Sequence, residues 1–290
     1  MTSSASEKPK TASGIAVSAE PLREADRDRA LEFLARRPVH TVIMAGWIRA
    51  HGVVHPQHRG TFYRTLDRRG SISGIAMIGR HTCFEVASSA ALKAFAVRAC
   101  KTSDVKMVFG EAARMAEFWR HYGPKNKSFG DGSEVLLFEN RDPPPASEAA
   151  SDIRPADLTE LDQIVTAHAQ MTLEETGTDP LKTEPDGFRS RCARRIEERH
   201  VWVRVCDGEL VFKTDIVSET PQAIYIEGLW INPKHRGRKI GRACIQGFCR
   251  RVLTGSNAVC GFVAVENVAA RSLYSRSGFE VQQKYSRFYA

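Results

Sequence analysis

The sequence of 290 residues lacks the features that define several large protein classes. It has no run of 18 consecutive apolar residues, which a membrane-spanning helix requires. Its first 14 residues, MTSSASEKPKTASG, contain neither the apolar core of a secretion signal nor the arginine-rich pattern of an organelle-targeting peptide. These absences predict a loose, disordered N-terminal tail over residues 1–14 and a cytoplasmic protein.

Paired cysteines and two common catalytic loops are also absent. None of the seven cysteines stands in CxxC spacing, and their number is odd, which argues against a zinc ribbon or a disulfide framework. We therefore predict seven reduced thiols. The missing GxxxxGK[ST] pattern excludes a kinase-type phosphate loop, and the missing GxSxG pattern excludes a hydrolase elbow.

The composition is that of a folded protein with an uneven basic excess. Hydrophobic residues make up 42% and charged residues 26%, and the length favours two domains. Residues 151–290 hold 20 Lys and Arg against 18 Asp and Glu, a net charge of +2, which leaves 22 against 16, or +6, for residues 1–150. Such a positive excess is found in proteins that bind nucleic acid, a membrane surface or an anionic ligand. The basic and aromatic segment GTFYRTLDRR (60–69) fits a solvated amphipathic strand better than a nucleic-acid surface.

Three consecutive prolines in NRDPPPASEAASD (140–152) mark a boundary. On both sides of it the hydrophobic pattern predicts the same order of elements: a helical region, three strands, a helix, a strand, a helix and a strand. We predict an α+β protein with two tandem domains, each a mixed central sheet flanked by helices. The predicted domains span residues 15–141 and 153–290, joined by a linker over 142–152.

The predicted elements of the two halves form a weak internal repeat, in element order and not in residue identity. In the first half they are a helical region (26–51), strands (61–67, 71–79, 82–86), a helix (88–100), a strand (105–110), a helix (111–121) and a strand (134–139). In the second half they are a short strand and a helix after residue 152, a helix (188–198), strands (201–206, 209–217, 223–232), a helix (238–253), a strand (259–266), a helix (267–277) and a strand (280–289).

A cluster of cations stands at the predicted N-terminus of the helix at 238–253. Its members are Lys234, Arg236, Arg238, Lys239 and Arg242. A helix N-terminus carries partial positive charge and normally favours acidic neighbours. The cluster is therefore typical of a site where an anion such as a diphosphate binds to free backbone N–H groups. A solvated basic loop is the alternative.

Two segments of the second half resemble a known enzyme family. RGRKIG (236–241), after a strand ending in LWINP (229–233), resembles the acyl-CoA pyrophosphate loop of GNAT N-acyltransferases. NVAARSLY (267–274), followed by SGF (277–279), resembles the second cofactor motif of that family. The resemblance covers about residues 150–290. Within the family, the segments EGLWINP (227–233) and NVAARSLYSRSGF (267–279) resemble the branch related to glycine N-acyltransferases.

The resemblance implies a direct transfer of an acetyl or other short acyl group from acyl-CoA to a primary amine of a small molecule or a protein, without a metal. The residues it assigns to acyl-CoA are Leu229, Trp230, Ile231, Arg236, Gly237, Arg238, Lys239, Ile240, Gly241, Arg242, Asn267 and Tyr274. Lys239 replaces a glycine of the family pattern, and we expect a helical φ there, with the ammonium group binding phosphate. A non-catalytic acyl-CoA-binding regulatory module is the alternative function.

The first half lacks the residues of the phosphate loop. Its corresponding segment, FEVASSA (84–90), contains neither a glycine nor a cation. We therefore expect a degenerate GNAT-like domain that binds no cofactor and that covers the acceptor side or supports assembly.

Glu227 is the predicted general base, because it is the sole carboxylate in the apolar strand AIYIEGLWI (223–231). The resemblance supports this role, in which the carboxylate deprotonates the amine through water. An exposed strand glutamate is the alternative, and Asp215 is the second choice of base. Gly228 predicts a β-bulge that separates the strands and admits the pantetheine arm, whose partners would be the backbone groups of Leu229 and Ile231.

Tyr274 is the predicted proton donor to the departing thiolate, because it lies two helical turns after Asn267 on the same helix face. Core packing is the alternative for Tyr274, and a role as helix cap alone is the alternative for Asn267.

Two further groups carry weaker signals. His51, His55 and His58 have ligand-like spacing but no acidic or cysteine partner nearby in the sequence, which argues against a metal site. Acidic residues in LEETGTDP (173–180) could contact a cationic amine or form a solvated helix end; they are Glu174, Glu175 and Asp179.

Overall fold

The computed structural model describes residues 17–123, 129–142 and 152–290. The predicted tail at 1–14 lies outside the described residues, as does most of the predicted linker at 142–152. Within the described ranges, no helix is long and apolar enough to cross a membrane. All seven cysteines are free thiols, as predicted.

The predicted elements occur in the predicted order with boundaries that differ by a few residues, while the strand Glu20–Pro21 and the helix Pro180–Thr183 were not predicted. The helices are α1 (Arg27–Leu34), α2 (Pro38–His51), α3 (Ser89–Cys100), α4 (Ala112–Tyr122), α5 (Leu161–Thr176), α6 (Pro180–Thr183), α7 (Pro185–Glu197), α8 (Ile240–Val252) and α9 (Val268–Arg276). The strands are β1 (Glu20–Pro21), β2 (Thr61–Leu66), β3 (Ile72–Ile78), β4 (His81–Val86), β5 (Met107–Glu111), β6 (Ser133–Asn140), β7 (Arg154–Pro155), β8 (Val201–Cys206), β9 (Glu209–Glu219), β10 (Ile224–Ile231), β11 (Val259–Ala264) and β12 (Glu280–Tyr289).

The twelve strands of the described residues lie in one mixed sheet, in the order β1-β2-β3-β4-β5-β12-β6-β11-β10-β9-β8-β7. The pairs β4–β5 and β10–β11 are parallel, because α3 and α8 connect their strands by crossovers. The other pairs are antiparallel. The predicted mixed sheet flanked by helices is therefore confirmed.

The last strand of each half lies in the sheet of the other half. β6, from the first half, pairs with β11 of the second half. β12, from the second half, pairs with β5 of the first half. The two exchanged strands also pair with each other, from Glu280↔Glu139 to Arg287↔Ser133. The halves therefore share one continuous sheet.

Helices cover both faces of the sheet. On one face of β3, Ile75 and Met77 pack with residues of α1 and α2, and on the other Ala76 and Ile78 pack with α3 and α4. In the second half, the first of these faces carries α5 and α7, and the second carries α8 and α9. The alternation of buried residues along the strands produces this sandwich.

Helix α2 of the first half covers strands of the second half. A Cβ atom built on Gly46 would lie 1.9 Å from Ser218 Oγ, so α2 approaches β9 closely. The Ser218 hydroxyl donates to the Val42 carbonyl at 2.8 Å, and Tyr225 of β10 packs in the same cluster as Val42. The first half thus forms part of the wall above β10.

Candidate active site

The strands β10 and β11 separate partway along their length. They pair only at Ile224↔Val259 and Tyr225↔Cys260, although β10 continues to Ile231. Within the described residues, the backbone of 226–231 has no strand partner on the β11 side, while β9 still pairs with its other edge. The open edge can accept an extended ligand that pairs with it as an added strand would.

A β-bulge at Gly228 shapes this edge. Glu227 pairs with Asp215 and Trp230 with Lys213, so β10 contains one extra residue between them. Gly228 has a φ of +63°, and a Cβ built there would lie 2.7 Å from Asp215 Oδ2. Glycine alone satisfies both the backbone angle and the close approach. The predicted bulge is present, with its register shift on the β9 side.

Glu227 lies just before the bulge with its residue surface exposed to solvent. The Tyr225 hydroxyl donates to Glu227 Oε1 at 2.5 Å. Burial of the carboxyl group by the surrounding protein raises the pKa of Glu227. The hydrogen bond from Tyr225 and the positive charge of Arg195 lower this pKa, and the negative charges of Asp215 and Glu175 raise it further. A carboxylate with a raised pKa is a better proton acceptor near neutral pH.

Asp215 has a different environment although it faces Glu227 across the strands. It is only 2% exposed, and its Oδ2 accepts from Lys213 Nζ at 2.8 Å, with Arg195 at 3.7 Å. Lys213, at 0% exposure, also donates to the Gly228 carbonyl at 3.2 Å. The buried ion pair removes Asp215 from solvent and holds the bulge in place, so Glu227 is the more accessible of the two carboxylates.

His168 of α5 completes this polar group. Its Nδ1 lies 3.9 Å from Asp215 Oδ2. Burial and then the positive charge of Lys213 lower the pKa of His168 to about 4. The imidazole is therefore neutral at physiological pH and contributes no charge to the site.

Tyr274 lies on α9 beneath the point where the strands separate. Its ring packs against Phe138 and Phe279, with centroids 5.4 and 4.7 Å apart. A Cβ built on Gly261 would lie 3.0 Å from the Tyr274 hydroxyl and 3.2 Å from the Ile226 carbonyl oxygen. Burial raises the pKa of Tyr274 well above its ordinary value, so the hydroxyl stays protonated. Tyr274 is thus part of the core and also places a hydrogen-bond donor next to the gap.

The basic loop before α8 retains unneutralised charge. Lys234 Nζ pairs with Glu209 at 2.8 Å, and Arg236 Nε donates to the Ile231 carbonyl at 3.1 Å. In the part of the chain that the structure describes, the exposed side chains of Arg238, Lys239 and Arg242 have no acidic partner. Their charge adds to that of the helix N-terminus, which favours an anionic ligand.

The backbone of Lys239 differs from the expectation. Its φ is +61°, in the left-handed region, so the expected helical φ is wrong. Two residues of the loop before α8 have left-handed backbone angles, since Gly237 also has a φ of +75°. Lys239 occupies the N-cap position of α8 without a side-chain hydrogen bond to the helix. A left-handed lysine costs about 1–2 kcal/mol, which accounts for glycine in the family pattern at this position.

Close packing joins the loop to β10. A Cβ built on Gly241 would lie 2.2 Å from Ile231 Cδ1, so the first turn of α8 sits against the end of the strand. Leu229, Ile231 and Ile240 are partly buried on this same face. Gly241 is thus needed for the close packing of α8 against β10.

Two predicted ligand residues have other partners. Asn267 is exposed and caps α9, since its Oδ1 accepts from the Ala270 N–H at 3.0 Å. The Trp230 side chain lies on the opposite face from Leu229 and Ile231, where its Nε1 donates to Gln170 Oε1 of α5 at 3.4 Å. The fold therefore brings the Trp230 backbone, but not its ring, to the face of α8.

Four residues near Glu227 were not predicted from the sequence: Tyr225, Lys213, Arg195 and His168. Alternation along a strand could have revealed Tyr225 beside Glu227, since residues two apart share a face. The same rule places Lys213 beside Asp215. Arg195 and His168 arrive from α7 and α5 by tertiary packing, which no local spacing encodes.

The histidine group and the acidic segment, which carry the weaker sequence signals, have different surroundings in the structure. The rings of His51, His55 and His58 lie 4.7–6.0 Å apart, and no group of metal-ligating side chains is found among the described residues. Of the acidic residues at 174–179, Glu175 acts electrostatically on Glu227. Glu174 accepts from Gln170 at 2.9 Å, and Asp179 caps α6.

Comparisons with known proteins identify a family domain in the second half of the chain. Residues 197–281 match the family model of the acetyltransferase (GNAT) domain, a segment that contains the bulge, the basic loop and Tyr274. No curated protein matches the sequence. The match confirms the predicted GNAT resemblance for this segment, whereas the glycine N-acyltransferase branch remains a prediction.

Solved structures share the fold over nearly the whole chain. A GNAT-family acetyltransferase from Colwellia psychrerythraea is 11% identical with a TM-score of 0.56, over 94% of this chain and 99% of that chain. A tandem GNAT protein from the clavulanic acid biosynthesis pathway is 13% identical with a TM-score of 0.56, over 94% and 98%. A Drosophila protein is 11% identical with a TM-score of 0.65, over 94% and 99%. At these identities the likeness concerns the fold alone.

Proposed function

We propose that the second half catalyses transfer of a short acyl group from acyl-CoA to a primary amine. The observation that carries the proposal is the gap between β10 and β11, with the Glu227 carboxyl group on the strand that borders it and the Tyr274 hydroxyl at its vertex. An exposed base and a buried donor next to one open strand edge are the groups that aminolysis of a thioester requires.

The residues present fit acyl-CoA. Arg238, Lys239 and Arg242 offer cations without acidic partners for a diphosphate at the start of α8, and Gly237 leaves that backbone accessible. The open edge of β10 from 226 to 231 offers N–H and C=O groups for the pantetheine arm. When bound, acyl-CoA supplies a thioester carbonyl that is reactive toward amines.

Glu227 accepts the proton that the ammonium form of the acceptor must lose, directly or through a water molecule that its exposed surface admits. Tyr225 and Arg195 stabilise the ionised carboxylate and keep it available as a base, against the burial that raises its pKa. Backbone N–H groups of residues 229–231 stabilise negative charge on the carbonyl oxygen.

Tyr274 donates a hydrogen bond to the leaving sulfur. Because burial raises the pKa of Tyr274 far above that of a thiol, complete transfer of its proton to the thiolate is unfavourable. The hydroxyl therefore stabilises the leaving group chiefly as a neutral donor.

The first half contributes to the acceptor side. Helix α2 lies over β9 and β10 beside Tyr225, and Glu175 and Arg195 border Glu227 from the second half. An amine acceptor that reaches Glu227 thus passes between elements of both halves.

The proposal is tested by measuring thiol release from acetyl-CoA with a panel of primary amines, together with the affinity for coenzyme A. Turnover that depends on the amine, with the acylated amine detected by mass spectrometry, is the expected result. Coenzyme A binding without turnover for any amine would instead support a non-catalytic acyl-CoA-binding module.

A further inference from the structure

A second cationic cavity lies away from the candidate active site. It has a volume of about 820 Å³ and is formed by the segment before β2, the β3–β4 turn and the end of α3, with a single residue of the second half, Arg194 of α7. Its size falls within the usual range for small-molecule sites, about 300–1,000 Å³. The charged and imidazole side chains in its lining are Arg59, Arg80, Arg98, Arg194, His58 and Asp104.

The positive charge of this cavity is largely unneutralised. Four arginines and one carboxylate residue, Asp104, line it. Over the described ranges, Arg59 and Arg80 make no ion pair, and the contact between Arg194 Nε and Glu198 Oε1 is 4.0 Å long. The deeper arginines of the first half are paired instead: Arg64 with Asp26 and Arg37 with Glu85. The excess of +6 in residues 1–150 is thus concentrated partly in a concave site.

One of the four arginines is already held in place. The Arg98 guanidinium donates to the Tyr63 hydroxyl at 2.7 Å and lies over the Tyr63 ring at 4.9 Å. An arginine fixed in this way loses little conformational entropy when it binds an anion. The Thr61 hydroxyl, also in the lining, can donate to a phosphate oxygen, whereas the Thr102 hydroxyl already donates to the Arg98 carbonyl at 3.2 Å.

We infer that this cavity binds a phosphorylated small molecule, with a diphosphate held by arginines of both halves. Guanidinium groups match phosphate oxygens in pairs, and the four of them offset the two to three negative charges of a diphosphate. The cavity volume accommodates a group of nucleotide size attached to that diphosphate.

Helix α7 links the cavity to the candidate active site. Arg194 lines the cavity, and the next residue, Arg195, lies 3.7 Å from Asp215 Oδ2 and lowers the pKa of Glu227. An anion bound at Arg194 adds negative charge next to Arg195. This charge opposes the lowering of the Glu227 pKa by Arg195. This coupling rests on the proposed function, whereas the binding site does not.

Binding is tested by calorimetric titration of the full chain with inorganic pyrophosphate, in the presence of saturating coenzyme A so that the loop at 236–242 is filled. One site with a stoichiometry near one is expected. Arg80→Gln and Arg194→Gln, one in each half, should each weaken binding at least tenfold, because each removes a charge-assisted hydrogen bond.

Arg68→Gln is the matched control, since it removes an exposed arginine of the first half that is not in the cavity lining. It should leave the affinity within twofold of wild type. The inference is wrong if no pyrophosphate binds with coenzyme A present, or if the control weakens binding as much as the cavity variants. Tighter binding of a single-stranded oligonucleotide that all three variants weaken equally would also overturn it, in favour of a diffuse basic surface.

The coupling is tested by the pH dependence of kcat at saturating acetyl-CoA. Pyrophosphate at a concentration that saturates wild type should move its acid limb to higher pH, and Arg194→Gln should reduce this shift at the same concentration. An identical limb with and without pyrophosphate would refute the coupling, while the calorimetric result decides the binding site independently.

Discussion

The residues Glu227 and Asp215 show how environment separates two neighbouring carboxylates. They face each other across β10 and β9, yet one is exposed and bonded to a tyrosine, while the other is buried in an ion pair. The sequence could identify both as candidates because they stand on apolar strands. It could not rank them by geometry, since the ranking depends on Lys213, Arg195 and the bulge.

Tyr225→Phe should move the acid limb of the pH profile to higher pH. The Tyr225 hydroxyl stabilises the ionised form of Glu227 and so lowers its pKa, which means that its loss raises the pKa further. The protonated carboxyl group cannot act as a base, so kcat/KM should fall at low pH and approach wild type at high pH. The profile of Tyr285→Phe, which removes a hydroxyl bonded to His40 instead, is the control. An unshifted limb for Tyr225→Phe would contradict this role.

Lys213→Met should destabilise the fold by about 3–5 kcal/mol, because it leaves the buried Asp215 carboxylate without its ammonium partner. The double variant Lys213→Met/Asp215→Leu should recover much of this loss, since it replaces the pair by apolar groups. Urea unfolding monitored by circular dichroism measures both. If the free energy of unfolding of Lys213→Met were within about 1 kcal/mol of wild type, the ion pair would not be what stabilises this part of the fold.

At the scale of elements, hydrophobic periodicity predicted the strands and helices to within a few residues. Proline and glycine supply the sharp boundaries: Pro38 begins α2 and divides the predicted helical region, and Gly208 lies in the β8–β9 turn with a φ of +76°. Lys239 was mispredicted because a left-handed lysine breaks the local rule. The loop tolerates the left-handed backbone of Lys239 because the rest of the turn and the packing of α8 impose this conformation.

The basic loop is tested by charge reversal. Arg238→Glu should weaken coenzyme A affinity at least tenfold, because it replaces an unpaired cation by an anion at the helix N-terminus. Arg68→Glu makes the same charge change at an exposed site in the first half and should leave the affinity unchanged. Calorimetric titration of the two folded variants compares them directly. Equal affinities would remove the loop as the diphosphate site.

At the scale of the whole molecule, the exchange of β6 and β12 could not be predicted from the sequence. Both strands were expected at their observed positions in the chain, but local patterns do not specify which strands become neighbours. The exchange places β12 between β5 and β6, and β6 between β12 and β11. Neither half therefore completes its own sheet.

The shared sheet predicts a single unfolding transition. Removing either half would expose the edge of a strand that is central in the intact sheet, which is unfavourable for an isolated domain. Thermal unfolding followed by circular dichroism should coincide with that followed by tryptophan fluorescence, with Trp119 reporting on the first half and Trp202 on the second. Two resolved transitions would indicate that the halves unfold independently.

The central claim is that Glu227 serves as the base of an acyl transfer at the β10–β11 gap, and turnover by Glu227→Gln tests it most directly. The variant should retain the strand and the affinity for coenzyme A but lose about 10²–10⁴-fold in turnover with acetyl-CoA and the best amine, as is usual for loss of a general base. Its residual rate should rise with pH, because more of the acceptor is then neutral before it binds. Full turnover with an unchanged pH profile would contradict the account.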